Sequence, residues 1–363
     1  MKRTFRAAIP SAVLALALAA LAGCGNSGAA TEPDGTRAVP SAGELPSKVP
    51  AGTKLVVADQ SENTQSALRA SGELDKLPFT VEFANFTGGP AILEAFRAGA
   101  ADVAGVGDTP PIQAQASGED VPIVAAVQRS SRNTRLAVAP GANVRTLADL
   151  KDKRIAYAEG TAQQAIVLRA LDKAGLTTTD VELTRLQLGD FLDAVRTGQV
   201  DVAPLGEPNL TRFIEATKAK GGEVISESET HDLSTGLSYV YARRQVLEDP
   251  AKAAAVRVYV EHWIRAQQWV SDHPKEWVDS YYVRNQHISK ADGDRIVAAN
   301  GIPGFPKLAD LVKTQQRTID LIKAAGELPK PLDAAKEFDL RFDPVIEKVV
   351  TDIGARTEPK DVR

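Results

Sequence analysis

The sequence predicts an α/β protein of two lobes, each a mostly parallel sheet flanked by helices, with a two-strand hinge between them. Three observations lead to this fold class. Short apolar runs alternate with helical patterns from about residue 53 to about residue 220. A helical segment that leads into Asp-Val-Ala occurs twice, at 91–105 and at 191–205, which indicates two similar units. About 310 residues follow the N-terminal segment, enough for two lobes.

The first half of the chain alternates predicted strands with predicted helices. The strands are predicted at 54–58, 79–83, 103–106 and 123–128. The helices are predicted at 66–74 and 91–98. In a sheet of this kind, ligands bind outside the carboxyl ends of the strands, so the loops that follow these strands are candidate binding loops.

The same rhythm continues in the second half. Strands are predicted at 135–139, 154–157, 181–186 and 201–205. Helices are predicted at 147–151, 161–174, 191–197 and 210–220. The two series together predict two lobes built to one plan.

The C-terminal third is predicted to return to the first lobe. A strand at 237–242 precedes an almost wholly helical segment that begins near Pro250, in which Trp263, Trp269 and Trp277 recur among aliphatic residues. An aromatic stripe at helical spacing is typical of a core. The expected boundaries are 52–135 for the first lobe, 136–236 for the second, 237–356 for the return, and 357–363 for a frayed tail.

The N-terminus has the pattern of an export signal. A basic start is followed by an apolar run at 12–21 that is too short to span a bilayer. Leu21-Ala22-Gly23-Cys24 then resembles a bacterial lipobox. We therefore expect a signal peptide at 1–23, lipidation of Cys24, a flexible tether at 24–51, and anchoring to the outer face of the cytoplasmic membrane. A signal peptide with an incidental cysteine is the alternative.

Composition excludes several classes of function. Cys24 is the single cysteine, so a disulfide within the chain, a cysteine zinc site and a cysteine nucleophile are excluded from the folded body. The formal charge of −4 becomes −7 once residues 1–23, with their three basic side chains, are removed. An acidic protein is a poor partner for nucleic acid. The four histidines show no metal-ligand pair and no Ser-His-Asp spacing, so no cofactor, metal or catalytic residue is expected.

Residues 87–111 are the strongest candidate for a binding segment. Gly88-Gly89-Pro90 precedes one predicted helix, and Gly107-Asp108-Thr109-Pro110-Pro111 precedes another. The first N–H groups of a helix lack intrahelical partners and lie at the positive end of its dipole. Two such helix starts close together predict a pocket for a small oxyanion.

These motifs resemble those of the aliphatic sulfonate-binding proteins of bacterial ABC importers. The likeness lies in the two turns above and continues through Leu147-Ala148-Asp149-Leu150-Lys151 and Ala158-Glu159-Gly160-Thr161-Ala162. It covers about residues 53 to 245, and the wider group includes taurine, nitrate and thiamine-precursor binding proteins. The resemblance implies a type II periplasmic-binding-protein fold whose lobes close on a small solute, and a monomer that delivers this solute to permease subunits.

The resemblance also implies a set of binding residues on both lobes. They are Gln60, Ser61, Gly88, Gly89, Asp108, Thr109, Gly160, Thr161, Ala162 and Glu207. The sequence departs from the family after the last strand of the second lobe, where Gly206 and Asn209 replace two aromatic residues. The ligand is therefore expected to be a sulfonate or taurine-like compound with an open choice of tail.

Several roles stay open at the level of sequence. Asp108 either contacts the ligand or caps its helix, and Glu207 either holds an ammonium group or is a solvated carboxylate. Arg129, Arg132 and Arg135 either make the cleft positive or, as exposed arginines usually do, face solvent. Nitrate or a thiamine pyrimidine precursor is an alternative ligand. An enzyme on the same fold, or a sensor without transport, is the alternative of another class.

Overall fold

A computed structural model describes residues 43–361 of the chain. Ten strands lie in this range. They are β1 (Lys54–Asp59), β2 (Thr80–Asn85), β3 (Val103–Val106), β4 (Ile123–Gln128), β5 (Thr134–Val138), β6 (Arg154–Tyr157), β7 (Glu182–Arg185), β8 (Val202–Gly206), β9 (Glu223–Val224) and β10 (Leu237–Ala242).

Thirteen α-helices lie in the same range, together with a π-helical turn at Val278–Val283 and several 3₁₀ turns. The helices are α1 (Asn63–Ala70), α2 (Gly89–Arg97), α3 (Thr109–Ala116), α4 (Ala162–Lys173), α5 (Phe191–Thr197), α6 (Asn209–Thr217), α7 (Glu227–Thr230), α8 (Arg244–Glu248), α9 (Pro250–Asp272), α10 (Pro274–Trp277), α11 (Lys290–Asn300), α12 (Leu308–Ala324) and α13 (Asp343–Asp352).

The strands form two five-stranded sheets, one in each lobe. The first sheet has the order β2-β1-β3-β10-β4 and the second has the order β7-β6-β8-β5-β9. In the first sheet β10 runs against both of its neighbours, and in the second sheet β5 does so. Four strands of each sheet therefore run in one direction, which confirms the predicted fold class. The reversed strands are the ones that follow each passage of the chain between the lobes.

The repeated Asp-Val-Ala motif has the same structural role in both lobes. The Asp102 carboxylate accepts from the backbone N–H of Val56 at 3.0 Å, and its own N–H donates to the Val56 carbonyl at 2.8 Å. Asp201 makes the equivalent pair with Arg154, at 2.9 Å and 2.8 Å. In each lobe the aspartate fixes the start of one central strand against the start of its parallel neighbour.

Two passages of chain connect the lobes, one between β4 and β5 and one between β9 and β10. They touch where the Arg129 N–H donates to the Gly236 carbonyl at 2.9 Å. Gly236 has a φ of +66°, and a Cβ built on it would lie 2.0 Å from the Arg129 carbonyl oxygen. Glycine is therefore required here by both the left-handed backbone and the close approach. This contact fixes the backbone at Arg129.

The C-terminal helices pack on more than the first lobe. Leu308 and Leu311, near the start of α12, belong to the core of the first lobe. Ile319 and Ile322, two turns later, belong to a core cluster of the second lobe together with Ile166 of α4. Helix α12 thus bridges both lobes, whereas the sequence predicted a return to the first lobe only. A 17-residue helix is long enough to cover both cores.

Most predicted elements lie where the sequence placed them, with ends shifted by a few residues. Helix α1 ends earlier than predicted, because Gly72 leaves the helical region at φ +70°. The short strand β9 and helix α7 were not predicted. The signal peptide, Cys24 and most of the tether lie outside the described residues, but Leu45 and Val49, near the end of the tether, pack on the first core. No helix within 43–361 is long and apolar enough to cross a bilayer.

Candidate functional site

A polar chamber of about 390 Å³ lies between the lobes, at the carboxyl ends of the first-lobe strands. The loop after β1 contributes Gln60 and Ser61, as the resemblance implied, and the second lobe contributes Gln163 and Glu207. The chamber is completed by residues from α1, β10, α9 and the π-helical turn, namely Asn63, Thr64, Ser238, Tyr239, Trp263 and Tyr281. Both lobes therefore line one cavity.

The loop after β1 is held rigidly at the chamber edge. Ser61 and Glu62 both have left-handed backbone, with φ values of 53° and 57°. The Ser61 carbonyl accepts from the Tyr281 hydroxyl at 3.2 Å and from Gln286 Nε2 at 3.1 Å. Gln60 Nε2 donates to the Gly105 carbonyl at 2.9 Å, so this amide is already used. The Ser61 side chain faces the chamber from a fixed turn.

The start of α1 is not available to an anion. The buried carboxylate of Asp59 accepts from the N–H groups of Gln60, Thr64 and Gln65 at 2.8–3.0 Å. Burial raises the pKa of Asp59, although these hydrogen bonds act in the opposite direction. An internal carboxylate thus occupies the anion site that a helix N-terminus would otherwise offer.

Arg129 is the basic side chain of the polar chamber. It is partly exposed, and it donates to Gln267 Oε1. Burial lowers the pKa of its guanidinium, and among the residues in 43–361 no carboxylate forms an ion pair with it. A partly buried guanidinium without an acidic partner is ready to bind an anion through several N–H groups.

Further donors surround this guanidinium. The hydroxyls of Ser61 and Ser238 and the amide of Gln163 line the chamber. Within the described part of the chain, these three side chains form no hydrogen bond with the protein. A ligand oxyanion in the chamber could therefore accept from Arg129, from two hydroxyls and from one amide.

The two loops in 87–111 meet the second lobe, and Gly107 of the second loop lines the polar chamber. A Cβ on Gly89 would lie 2.5 Å from Cγ of Pro110 and 3.1 Å from the Gly160 carbonyl oxygen. A Cβ on Gly107 would lie 2.7 Å from Cβ of Ala162. The predicted loops of both lobes are thus brought together, yet they pack directly against one another.

Asp108 and Thr109 are turned into the protein. Asp108 is 3% exposed, and its Oδ2 accepts from Arg169 Nη2 of the second lobe at 2.9 Å and from the Thr235 hydroxyl at 3.0 Å. Thr109 is 1% exposed, and its hydroxyl donates to Asp108 Oδ1 at 3.2 Å. The side chain of Asp108 caps no helix N–H and instead joins the two lobes by a buried ion pair. Since Pro110 carries no N–H, the start of α3 also offers fewer donors than expected.

The predicted loop of the second lobe is similarly satisfied from within. Gly88 lies against Leu188 and Thr161 across the cleft. The Thr161 hydroxyl donates to the Ala158 carbonyl at 2.7 Å, and the Gly160 N–H donates to Gln164 Oε1 at 2.8 Å. The neighbour of this loop in sequence, Gln163, is the residue of α4 that lines the polar chamber.

Glu207 lies at the chamber, but its charge has partners. Its carboxylate accepts from the Thr211 hydroxyl at 2.7 Å and from the Thr211 N–H at 3.1 Å. It also pairs with Arg295 of α11 at 3.4 Å, and its side chain is 7% exposed. Glu207 is therefore neither a solvated rim carboxylate nor a group free to hold an ammonium ion alone. It forms a second charged contact between the lobes.

Two further chambers share lining residues with the polar one. A middle chamber of about 280 Å³ shares Arg129, Glu207 and Gln267 with it and adds Gly206 and Trp277. An apolar chamber, also of about 280 Å³, shares Arg129 and Gln267 with the middle chamber. Arg129 lines all three chambers and so lies at their junction.

Of the three arginines near the crossing, for which the sequence favoured exposure to solvent over a role in the cleft, Arg129 lines the chambers. Arg132 faces solvent and pairs with Glu227 at 2.8 Å, and Arg135 also pairs with Glu227, at 3.7 Å. The signal that distinguishes Arg129 is its place directly after β4, a strand of five apolar residues and Gln128, whose carboxyl end lies at the binding edge of the sheet. Trp263 and Trp277, expected only as core, also line the chambers.

Within the described residues, no group of three or more histidine, cysteine, aspartate or glutamate side chains is arranged to hold a metal ion. His262 Nδ1 lies 2.6 Å from Glu73 Oε2, away from the three chambers.

Comparison with known proteins agrees with this architecture. A putative aliphatic sulfonates-binding protein of Bacillus subtilis (strain 168) is 27% identical over 274 residues, which is 74% of this chain and 79% of that protein. A putative aliphatic sulfonates-binding protein of Escherichia coli (strain K12) is 33% identical over 163 residues, 45% of this chain and 50% of that protein. The chain therefore spans only half the length of this second relative.

A solved structure shows the same fold. The alkanesulfonate-binding protein SsuA from Xanthomonas axonopodis pv. citri bound to MOPS is 25% identical, with a TM-score of 0.71 over 80% of this chain and 99% of that chain. The family model described as NMT1/THI5 like matches residues 80–277, more than half of the chain and most of both lobes. On this match, and on the two mixed sheets that carry it, the chain belongs to the NMT1/THI5-like family.

Proposed function

We propose that this protein is the solute-binding component of an ABC importer and captures a small sulfonate between its two lobes. The observation that carries the proposal is Arg129, a guanidinium in the interlobe cleft that has no acidic partner in the described protein. A sulfonate is ionised at any physiological pH and presents three acceptor oxygens. It matches a site with several N–H and O–H donors and one positive charge.

The relatives support a sulfonate as the ligand class. Proteins from Bacillus subtilis and Escherichia coli that align with this chain are named as aliphatic sulfonates-binding proteins, and a more distant one is named as a taurine-binding periplasmic protein. A taurine-like ligand would need an anionic partner for its ammonium group. Both acids that line the chamber already have partners: Glu207 pairs with Arg295, and the Asp59 carboxylate accepts from three backbone N–H groups. The structure therefore favours a sulfonate without an amino group.

We also propose how the protein is placed in the cell. The basic, apolar and Leu-Ala-Gly-Cys segments at the N-terminus support export and lipid attachment at Cys24. The tether would then leave the lobes free to deliver solute to a permease as a monomer. Labelling of the expressed protein with a fatty-acid analogue, compared between the natural chain and Cys24→Ser, tests this anchor. Equal labelling of both chains would exclude it.

The ligand proposal is tested by calorimetry on the purified protein. Methanesulfonate, butanesulfonate, taurine, nitrate and a thiamine pyrimidine precursor are titrated separately. We expect the two alkanesulfonates to bind more tightly than nitrate or the pyrimidine. If no sulfonate binds, the proposed function is wrong, and tight binding of nitrate or of the pyrimidine alone would replace it with that ligand class.

A further inference from the structure

Gln267 is the side chain that holds the Arg129 guanidinium. Its Oε1 accepts from Arg129 Nη2, and Gln267 itself is 5% exposed. Both residues line the polar chamber. A buried amide oxygen needs a donor and a guanidinium needs acceptors, so each group meets a requirement of the other. This hydrogen bond ties the guanidinium to helix α9.

The helix that carries Gln267 is fixed in its rotation. Trp263 and Val270 lie one turn before and one turn after Gln267 on the same face of α9. Both belong, with Ala266, to the core of the first lobe. The Gln267 amide is therefore presented to Arg129 from a rigid element.

The other end of Arg129 is fixed independently. Its backbone N–H donates to the Gly236 carbonyl at 2.9 Å, at the crossing between the lobes. The residue is thus anchored twice, through its backbone at the crossing and through its guanidinium at α9. An arginine loses much rotamer freedom when it binds a ligand, and here part of that loss has already occurred on folding.

The acceptor at position 267 is neutral. An amide oxygen accepts a hydrogen bond without cancelling the charge of the guanidinium, whereas a carboxylate at the same place would form an ion pair with it. The two acids that line the polar chamber are engaged elsewhere, Glu207 with Arg295 and Asp59 with backbone N–H groups. The positive charge of Arg129 is therefore left for a ligand.

We propose that Gln267 is a positioning residue of the anion site, which holds the Arg129 guanidinium in place for the ligand while leaving its charge uncompensated. This inference rests on the proposed function, because it takes Arg129 to bind the sulfonate group. It assigns to one residue of α9 the control of how strongly the site binds an anion.

Two substitutions at this position separate orientation from charge. Gln267→Leu removes the acceptor and adds no charge, so butanesulfonate affinity should fall roughly fivefold. Gln267→Glu keeps an acceptor of nearly the same shape but adds a counter-charge, so affinity should fall roughly thirtyfold or more. Calorimetry on the purified protein measures both losses.

The stability of the ligand-free protein gives a second readout. The thermal midpoint of Gln267→Glu should be equal to or above that of the natural protein, because the new carboxylate pairs with Arg129 as the ligand would. A merely structural role for Gln267 would instead make stability and affinity fall together.

Gln268→Glu is the matched control. It adds the same charge at the next residue of α9, whose Nε2 donates to Asp272 at 2.8 Å and which lines none of the three chambers. Its butanesulfonate affinity should remain within about twofold of that of the natural protein, since solvent and salt screen a charge outside the chambers.

The outcomes separate this inference from the proposed function. If the natural protein binds no sulfonate, the proposed function fails and the role of Gln267 fails with it. If the natural protein binds butanesulfonate and either variant of Gln267 binds it as tightly, the proposed function stands and the positioning role is wrong. The positioning role is also wrong if Gln268→Glu loses as much affinity as Gln267→Glu, or if Gln267→Glu loses stability together with affinity.

Discussion

Asp108 and Arg129 both lie at the boundary between the lobes, and they differ in whether the protein supplies a partner of opposite charge. Asp108 is buried beside Arg169, Thr235 and Thr109, so its charge and its hydrogen bonds are met from within. Arg129 is partly buried, and no acid of the described protein pairs with it. A charge that is paired within the protein therefore stabilises the fold, whereas a charge without an acidic or basic partner indicates where a ligand binds.

The largest expected effect is a loss of sulfonate affinity on substitution of Arg129. Arg129→Gln removes the positive charge that we assign to the ligand, so sulfonate affinity should fall by about 3–4 kcal/mol, more than a hundredfold. Thermal unfolding should change little, because this side chain pairs with no acid in the described protein. Calorimetry with butanesulfonate measures the loss.

Arg132→Gln is the control for this change. It alters an arginine of the same crossing that pairs with Glu227 on the surface. The butanesulfonate affinity of Arg132→Gln should remain that of the natural protein. An equal loss in both variants would show that net charge near the crossing, rather than contact with Arg129, drives binding.

At Asp108 the expected loss is in stability. Asp108→Ala leaves Arg169 buried without its acid, which should lower the free energy of unfolding by about 3 kcal/mol. Urea denaturation measures it. Asp193→Ala removes an exposed pair with Arg196 and should cost less than about 1 kcal/mol. Similar losses at both positions would contradict the structural role of Asp108.

The loop contact beside Asp108 should resist any added side chain. Gly89→Ala places a Cβ 2.5 Å from Pro110 of the same lobe and 3.1 Å from the Gly160 carbonyl oxygen of the other, so α2 and α3 must move apart, at a cost of about 1–3 kcal/mol. Gly43→Ala meets nothing within 4 Å and serves as the control in the same denaturation experiment. If Gly89→Ala is as stable as Gly43→Ala, the two loops do not pack as described.

The environment of Asp108 should also give the protein a pH-dependent stability. Gln315 donates to the Asp108 carbonyl at 2.8 Å and to the buried carboxyl of Glu337 at 2.7 Å. Burial raises the pKa of Glu337 to about 8, with Asp108 and Asp333 adding to the effect. The folded protein then holds a proton that the unfolded chain has lost above its ordinary pKa of 4.5.

It follows that the free energy of unfolding should fall as pH rises from about 5 to about 8, by up to about 1.4 kcal/mol per pH unit from this group. Denaturation at several pH values measures the slope, which Glu337→Gln should flatten. A slope that persists unchanged in Glu337→Gln would assign it to other groups.

The smallest expected effect is at Thr109. Its hydroxyl is buried and bonded to Asp108, and it does not line any of the three chambers. Thr109→Val should therefore cost about 1 kcal/mol of stability and leave sulfonate affinity within about twofold. A large loss of sulfonate affinity would show that Thr109, and with it a loop in 87–111, contacts the ligand.

More of the fold than of the binding site could be predicted from the sequence. Some features are set by local sequence patterns and do not depend on tertiary packing. They are the alternation of strands and helices and the repeat that contains Asp102 and Asp201. The bridging position of α12 is not local, because its apolar stripe is compatible with either lobe.

The position of the binding site depends on which backbone and side-chain groups lack a hydrogen-bond or ion-pair partner within the protein. The structure places Gly88 and Gly160 on loops that pack against each other across the lobes. That these loops close on each other, while Asp59 fills the start of α1, follows only from three-dimensional contacts. The burial and the missing acid of Arg129 could not be read from one chain segment either, since they depend on residues from both lobes.

A crystal structure of the protein with butanesulfonate would locate the ligand directly. We expect the sulfonate oxygens within about 3 Å of the Arg129 guanidinium. A sulfonate held instead by the backbone of Gly88 and Gly160, with Arg129 out of contact, would contradict the account.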